Sequence, residues 1–137
     1  MSERDWGWVE GMIDGEGCLG LYLKKYNESG RAGWAPRLVI SGTNLEMIKE
    51  AKKILGGKGH ITSFCHAPAR PCYNLTLTPV PLRDILPKLK LKGKQRQCRL
   101  VLEALELLKE HVAYHTPNDK RLKEIRKELM RLNGGIK

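Results

Sequence analysis

The pattern of apolar and polar positions in the first half of the chain predicts a helix, two strands and a second helix. Apolar side chains recur at helical spacing in the first and last of these segments, and alternate at every second position in the two between them. The predicted elements are a helix over 5–14, strands over 18–26 and 34–42 with a loop over 27–33 between them, and a helix over 44–55. Two consecutive glycines end the second helix.

The second half of the chain repeats this pattern and adds helices at its end. Strands over 60–66 and 72–78 lie on either side of a proline-containing loop, and a short helix begins after Pro81. A long amphipathic helix begins at Lys94, and a charged helix covers about 119–132. The order αββαββα with C-terminal helices predicts an α+β fold, in which a four-stranded antiparallel sheet has helices on one face and an open second face.

The charge of the chain indicates the class of partner that this domain binds. Its 137 residues, enough for one compact domain, include 25 Lys and Arg against 15 Asp and Glu, which gives a formal net charge of +10. A small domain this basic usually binds a polyanion, so nucleic acid is the first expectation, with an acidic protein or a membrane surface as the alternative. Residues 88–99 carry six lysines and arginines and no acid, which is typical of a solvated charged run or of a surface that contacts phosphates.

The open face of the predicted sheet carries polar, basic and aromatic side chains. The candidate binding residues on and beside this face are Tyr22, Lys24, Tyr26, Arg37, Ser41, Thr62, Phe64, Arg70, Asn74 and Thr76. A sheet surface of this kind can lie in the major groove of duplex DNA, where such side chains reach the edges of the bases. Lys94, in the basic run, is a further candidate DNA contact.

Several absences narrow the class of protein. No window approaches the roughly 18 consecutive apolar residues that a membrane span needs, and the polar start of the chain shows no secretion signal. The four cysteines lack the C-x-x-C spacing of a structural zinc site. A disulfide between Cys65 and Cys72 is conceivable, but reduced thiols in an intracellular protein are the expectation.

Two carboxylates stand among glycines where the first helix meets the first strand. Asp14 and Glu16 are separated by Gly15, with further glycines at Gly11 and Gly17. Carboxylates at such a junction can simply cap or solvate it. They can also form a hard oxygen site, because Mg²⁺ binds one or two carboxylates together with water and phosphate oxygens. By residue type alone, the stretch is compatible with metal-dependent phosphodiester chemistry.

The first helix carries a glycine at every fourth position, namely Gly7, Gly11 and Gly15. Each interior glycine costs a helix about 1 kcal/mol relative to alanine, so three of them need a compensating interaction. A stripe without side chains lets a second backbone approach closely. The alternative is a weak helix with a fraying end.

Residues Val9–Gly17, VEGMIDGEG, resemble the signature motif of the LAGLIDADG homing endonucleases. Seven of the nine positions fit the usual choices of that family, and Glu10 departs from the small residue common at the second position. The predicted αββαββα order fits the fold of the family, and the segments ISGTNLEMIKEAKKILGG and LKLKGKQRQ resemble its second strand with the following helix and its basic segment. The resemblance implies a single domain over 1–137, with a core over about 5–112 and a C-terminal helix over about 118–132.

The resemblance implies a homodimer, because the family needs two motifs and this chain carries one. The implied dimer interface consists of Gly7, Trp8, Gly11, Met12 and Gly15. Two saddle-shaped sheets would straddle double-stranded DNA and recognise a pseudo-palindromic site of about 20 base pairs in two stretches of major groove. Mg²⁺ would support hydrolysis of both strands to leave short 3′ overhangs, and Mn²⁺ or Ca²⁺ can occupy the same sites. The resemblance implies neither a membrane partner nor a small-molecule substrate.

The resemblance also implies roles for individual residues. The implied catalytic residues are Glu16, Lys92 and Gln95, and the implied metal ligands are Glu16 and the backbone carbonyl of Gly15. Asp14 would support the helix end instead of binding metal. Many family members have Gln or Asn at the end of the second strand, where it orders water around the metal, but the matching position here is near Gly42.

This departure leaves a second function open. A DNA-binding relative without cleavage, such as a splicing cofactor or regulator, would also fit the sequence, unless Ser41, Thr43 or Asn44 replaces the missing side chain. A structural RNA-binding protein fits the size and charge, although it gives the glycine stripe and the acidic junction no role.

Overall fold

The computed structural model of the protein describes residues 2–26, 31–64, 71–108 and 119–134. In chain order the elements are α1 (Glu3–Glu16), β1 (Gly17–Tyr26), β2 (Arg31–Gly42), α2 (Leu45–Ile54), β3 (His60–Phe64), β4 (Cys72–Leu77), α3 (Pro79–Ile85), a 3₁₀ turn (Leu86–Lys88), α4 (Gln95–Leu107) and α5 (Asp119–Leu132). This order confirms the predicted αββαββα arrangement with further helices at the C-terminal end. None of the described helices has both the length and the apolar content needed to cross a bilayer.

The four strands form one antiparallel sheet in the order β1-β2-β4-β3, as predicted for the fold class. Strand β1 pairs with β2 over the whole length of β1, from Gly17 opposite Ile40 to Tyr26 opposite Arg31. The two central strands, β2 and β4, pair from Leu38 to Gly42 of β2. The pairing between β1 and β2 extends β2 back to Arg31, so the predicted loop over 27–33 is too long.

The core lies between the sheet and the helices. The inward side chains of the strands, among them Leu19, Leu38 and Leu75, are fully buried, as the alternation predicts. They pack in one apolar cluster with helix residues such as Ile13 of α1. Leu23 was expected to share this face but is 41% exposed, because the buried part of β1 ends two residues earlier.

Helix α1 extends further at both ends than the spacing of its apolar side chains predicts. At its start, the Ser2 side chain accepts a hydrogen bond from Asp5 N at 3.1 Å and caps the helix. At its end, the helix continues through Glu16. Both acids of the motif therefore belong to the last turn of a helix and not to a connecting loop.

The short helix α3 begins at Pro79, before Pro81 and not after it. Proline is tolerated in the first turn of a helix, where its missing N–H has no helical partner in any case. After α3 the chain continues in the 3₁₀ turn, which contains Pro87.

Helix α5 packs beside β1, which is an edge strand, and against α4. Its predicted apolar stripe of Leu122, Ile125 and Leu129 is buried. The residue after the helix, Asn133, donates a side-chain hydrogen bond of 2.9 Å to the Leu19 carbonyl of β1. This hydrogen bond satisfies the Leu19 carbonyl on the unpaired edge of β1, where backbone groups have no neighbouring strand to bind.

Candidate active site

The end of α1 and the start of α4 are joined by a reciprocal set of hydrogen bonds. Three successive backbone N–H groups donate to the Asp14 carboxylate, from Lys92 at 2.9 Å and from Gly93 and Lys94 at 3.1 Å each. In return, Lys94 Nζ donates to the Asp14 carbonyl at 2.6 Å. We call these contacts the α1–α4 junction.

The junction supplies each helix end with the charge that its own residues lack. The first turn of α4 contains no acid and its N-terminal residue makes no side-chain cap, while the last turn of α1 contains no basic residue. A negative carboxylate is favourable at a helix N-terminus, and a cation is favourable at a C-terminus. Asp14 and Lys94 provide these charges across the junction.

These contacts bear on two of the sequence-based interpretations. The Asp14 oxygens already accept three hydrogen bonds, which favours a supporting role, and the helix they support is α4 as well as α1. The ammonium group of Lys94 is occupied within the protein, so a DNA contact by this side chain would replace an existing bond. Lys94 as a DNA contact stays a prediction.

We expect Asp14→Asn to lower the free energy of unfolding by about 1–3 kcal/mol, because an uncharged amide offers a single oxygen to three N–H groups. Urea denaturation measures this quantity. A matched control is Asp84→Asn, which removes exposed ion pairs to Lys58 and Lys88 and should cost less. Equal losses in the two variants would contradict the structural importance of the junction.

Glu16 is exposed at a groove of about 440 Å³ between the end of α1 and the connection from β2 to α2. The groove is lined by Met12, Glu16, Ser41, Gly42, Thr43, Asn44, Met47, Ile48 and Cys72. The residues that were considered as substitutes for the missing polar side chain therefore lie beside Glu16. The structure brings this acid and the end of the second strand together, although they are 26 positions apart in the sequence.

Two of the three nearby polar side chains are already engaged. Ser41 Oγ donates to Asn74 Oδ1 at 2.6 Å, and Asn44 Oδ1 accepts from Met47 N at 3.3 Å as the cap of α2. Thr43 is exposed. At Gly42 an added Cβ would lie 3.5 Å from Ile48 Cδ1, an ordinary contact, so this position has space for a side chain.

The donor set of one chain does not complete a metal site by itself. Among the described residues, no group of three His, Cys, Asp or Glu side chains could hold a metal ion. Glu16 provides one exposed carboxylate, and the carbonyls of the last helical turn, including that of Gly15, have no partner within α1. Because Mg²⁺ takes one or two carboxylates and fills its remaining positions with water and phosphate oxygens, these residues fit such an ion when a phosphate or a second carboxylate is added.

The glycine stripe lies on an open face of α1. Gly7, Gly11 and Gly15 are exposed, and a Cβ added at any of them would meet no described residue within 4 Å. Beside them, Trp8 is 37% exposed and Met12 is partly buried. The opposite face of α1 buries apolar side chains in the core. Contacts with the described part of the same chain therefore do not explain these glycines.

The basic run divides into free and engaged side chains. Lys92 and Gln95, the other predicted catalytic residues, are exposed, and Lys92 adjoins the end of α1 because its backbone N–H binds Asp14. Lys88 forms an ion pair with Asp84, and Arg96 binds Glu128 through two nitrogens.

The sequence did not single out Gln97, which is 8% exposed and lines a cavity of about 360 Å³.

The strand register places several predicted binding residues in one row on the open face. Thr62 pairs with Asn74, and Asn74 pairs with Ser41. A second row contains Thr76 of β4, which pairs with His60 of β3 on one side and with Val39 of β2 on the other. Of the remaining candidates, Lys24 and Tyr26 lie in β1, Phe64 lies at the end of β3, and Arg70 lies outside the described residues.

Tyr22 and Arg37 contact each other on this face. The Arg37 Cζ lies over the Tyr22 ring, 5.4 Å from its centroid, within the range of a cation–π interaction. Cys18 Sγ lies 4.0 Å from the Tyr22 hydroxyl. Burial raises the pKa of Tyr22 above its ordinary value, and Cys18 adds to this rise while Arg37 opposes it. The phenol is therefore neutral at physiological pH.

Among the residues that the structure describes, Cys18, Cys72 and Cys98 carry free thiols. Cys65, the proposed partner of Cys72, lies outside the described residues. Burial raises the pKa of Cys98, which keeps this thiol protonated and unreactive.

No protein-family model and no curated protein matches the sequence. Solved structures of homing endonucleases match the fold. The homing endonuclease I-CvuI, in complex with its target in the presence of 2 mM Ca, matches with a TM-score of 0.75 and 18% identity over 99% of this chain and 88% of that chain. The archaeal intron-encoded homing endonuclease I-Vdi141I, complexed with DNA, matches with a TM-score of 0.70 and 22% identity over 95% and 84% of the two chains.

A third match is longer than this chain. The LAGLIDADG meganuclease I-AabMI, bound to uncleaved DNA, matches with a TM-score of 0.65 and 14% identity over 100% of this chain but only 47% of that chain. At these identities the comparison concerns the fold. The chain has the fold of the LAGLIDADG homing endonucleases, as the motif at Val9–Gly17 indicated.

Proposed function

We propose that this protein is a site-specific homing endonuclease that works as a homodimer. It would bind a pseudo-palindromic DNA site of about 20 base pairs and hydrolyse both strands with divalent metal ions, leaving short 3′ overhangs. The observation that carries this proposal is the exposed glycine stripe of α1, which ends beside the exposed Glu16. A second copy packed on this stripe would bring two Glu16 carboxylates together.

The dimer step rests on the shape of α1. Three exposed glycines, with nothing within 4 Å of an added Cβ, let a second helix approach at backbone distance. In a dimer with two-fold symmetry, the glycine stripe of one copy packs on the glycine stripe of the other. The C-terminal ends of both α1 helices then lie near the symmetry axis. The fact that this chain matches only 47% of the I-AabMI chain supports the view that it corresponds to one of two units.

The catalytic step rests on the residues around the end of α1. A divalent ion bound at a phosphodiester activates water and stabilises the leaving oxygen. Glu16 and the Gly15 carbonyl would hold such an ion together with DNA phosphate oxygens. Asp14 holds the backbone of the basic segment at the end of α1, and the exposed Lys92 side chain would stabilise negative charge on the reacting phosphate.

The binding step rests on charge and on the open sheet face. A formal net charge of +10 favours association with a polyanion, and each neutralised phosphate releases counterions. The rows of polar side chains across β3, β4 and β2 would then reach base edges in the major groove. The DNA complexes of I-CvuI and I-Vdi141I support this choice of partner.

The test is a selection from a random library of duplex DNA. The protein is incubated with the library and Mg²⁺, and the cut products are sequenced. We expect one long, roughly palindromic sequence cut near its centre with a short 3′ stagger. Binding of a defined sequence without nicks in either strand would instead favour a DNA-binding regulator that has lost cleavage.

Gly42 is the specific observation that favours this alternative, since no side chain at that position reaches the groove beside Glu16. We expect Gly42→Gln to speed cleavage by about fivefold, because one added hydrogen bond that orders water is worth about 1 kcal/mol. The space beside Ile48 accommodates the change. Single-turnover cleavage at saturating Mg²⁺ measures the rate.

Gly42→Ala is the matched control, because it adds the Cβ without the amide and should leave the rate unchanged. If the glutamine variant cleaves no faster than the alanine variant, the missing side chain does not limit the reaction. In that case the exposed Thr43 or solvent already fills the role.

A further inference from the structure

Three residues on the open face form a compact unit, which we call the Arg37 platform: Gly20, Tyr22 and Arg37. Gly20 of β1 is the direct cross-strand partner of Arg37 of β2. The Tyr22 ring is positioned against Gly20, and the Arg37 guanidinium lies over the same ring with its Cζ 5.4 Å from the centroid. The unit therefore links two neighbouring strands through one aromatic side chain.

Gly20 is required for this arrangement. A Cβ at Gly20 would lie 3.0 Å from Tyr22 Cε2 and 3.1 Å from both Cζ and the hydroxyl oxygen. Such a contact is tighter than nearly all real Cβ contacts, so the ring would have to shift by a few tenths of an ångström. The absence of a side chain at this position lets the ring take the position on which Arg37 stacks.

The stacked guanidinium has a defined direction. Its Nε is buried, and no acceptor binds this atom in the part of the chain that the structure describes. Arg37 as a whole is only partly buried, so the two terminal amino groups are the donors that can reach outwards. A guanidinium edge with two parallel donors matches two neighbouring acceptors in one plane.

We infer that Arg37 is a specificity-determining residue that reads one guanine of the DNA site, and that Tyr22 is a positioning residue that aims it. This inference rests on the proposed function and deepens it. In the major groove, guanine presents O6 and N7 side by side, and arginine binds both. No other base offers two acceptors in that arrangement.

The fixed orientation favours a base over a phosphate as the ligand. A phosphate can also take two parallel donors, but a lysine serves it as a point charge and the contact carries no sequence information. The Tyr22 ring packs against Gly20 and under the guanidinium, so it restricts the direction in which Arg37 points. In return, the Arg37 side chain loses conformational freedom. Such restriction is useful where one base must be told from another.

The test compares base preferences and does not depend on cleavage. Protein without divalent metal is used to select bound duplexes from a library based on its DNA site, and preferences are derived for every position. For Arg37→Ala we expect loss of a guanine preference of about 5- to 150-fold at one position in each half-site, which corresponds to one bidentate contact. Preferences at the other positions should stay unchanged.

Variants of the other two residues test the positioning role. Tyr22→Leu and Gly20→Ala should weaken the guanine preference at the same position as Arg37→Ala, because each disturbs the stack. Tyr22→Phe is the matched control, since it keeps the ring and removes only the hydroxyl near Cys18. It should retain the preference. Because it leaves the packing of the face unchanged, it keeps the test informative even where a larger change unfolds the protein.

Three outcomes would overturn the inference. Equal loss of affinity for all sequences in Arg37→Ala would make this residue a phosphate contact. A loss at a different base pair in Tyr22→Leu would make the tyrosine a direct contact. An adenine, thymine or cytosine preference at the Arg37 position would refute the guanine assignment. Failure of the wild-type protein to select any duplex sequence is a separate result, which would refute the proposed function itself.

Discussion

Replacing Glu16 with glutamine is expected to slow DNA cleavage by at least about 100-fold while leaving DNA binding largely intact. The amide keeps the shape of the side chain but removes the charge that would hold a divalent ion, and such an ion would supply several kcal/mol of transition-state stabilisation at about 1.4 kcal/mol per tenfold in rate. Glu16 is exposed and has no hydrogen-bond partner among the described residues, so folding should not suffer. Single-turnover cleavage and equilibrium binding, measured on the same duplex, separate the two effects.

Glu46→Gln is the matched control for this experiment. It makes the same change of charge on the neighbouring helix α2, where the side chain is 82% exposed and has an ion pair with Lys49. This variant should cleave as the wild-type protein does. Cleavage by Glu16→Gln at the normal rate would show that the metal-ligand assignment is wrong.

Replacing Gly11 with leucine is expected to break the proposed homodimer, and with it the proposed DNA cleavage. Overpacking of a close contact costs about 1–3 kcal/mol, and a two-fold interface contains the change twice, so dimerisation should weaken by about 2–6 kcal/mol. Within one chain, a Cβ at Gly11 meets nothing within 4 Å, so the fold itself should tolerate the leucine. Sedimentation velocity across a range of protein concentrations measures the dissociation constant of the dimer.

Two controls separate packing from general effects. Lys53→Leu adds an exposed leucine to α2, away from the glycine stripe, and should leave the dimer unchanged. Gly11→Ala should raise the stability of the single chain by about 1 kcal/mol through helix propensity, yet weaken the dimer by adding a methyl group to the interface. A dimer that persists in the leucine variant would refute the proposed packing of α1.

The order of elements and the inward side of each strand could be predicted because they depend on neighbours in the chain. An apolar side chain at every second position identified Leu19 and Leu38 as core residues, and both are fully buried. The same reasoning missed the ends of elements. The predicted loop before β2 is too long. Strand β2 begins at Arg31 because this residue pairs with Tyr26 of β1, and local propensity does not show that pairing.

The acidic motif illustrates the limit of a local pattern. Glycines and carboxylates in VEGMIDGEG indicated a helix end with oxygen ligands and a close helix contact, but could not separate the roles of Asp14 and Glu16 by residue type. The structure distinguishes their surroundings. The Asp14 carboxylate accepts hydrogen bonds from three backbone N–H groups of the segment before α4, whereas Glu16 is exposed at the groove beside Gly42.

By itself, then, the sequence determined the fold class, the basic character and the stretch in which to look for an active site, since hydrophobic period, charge and motif are properties of consecutive residues. Only the tertiary structure decided which residues meet across the fold. It joined Asp14 to Lys94 over a separation of 80 positions and stacked Arg37 on Tyr22 through the register of two strands. Contacts of this kind depend on strand register and helix packing, which the whole chain sets together and no short segment encodes.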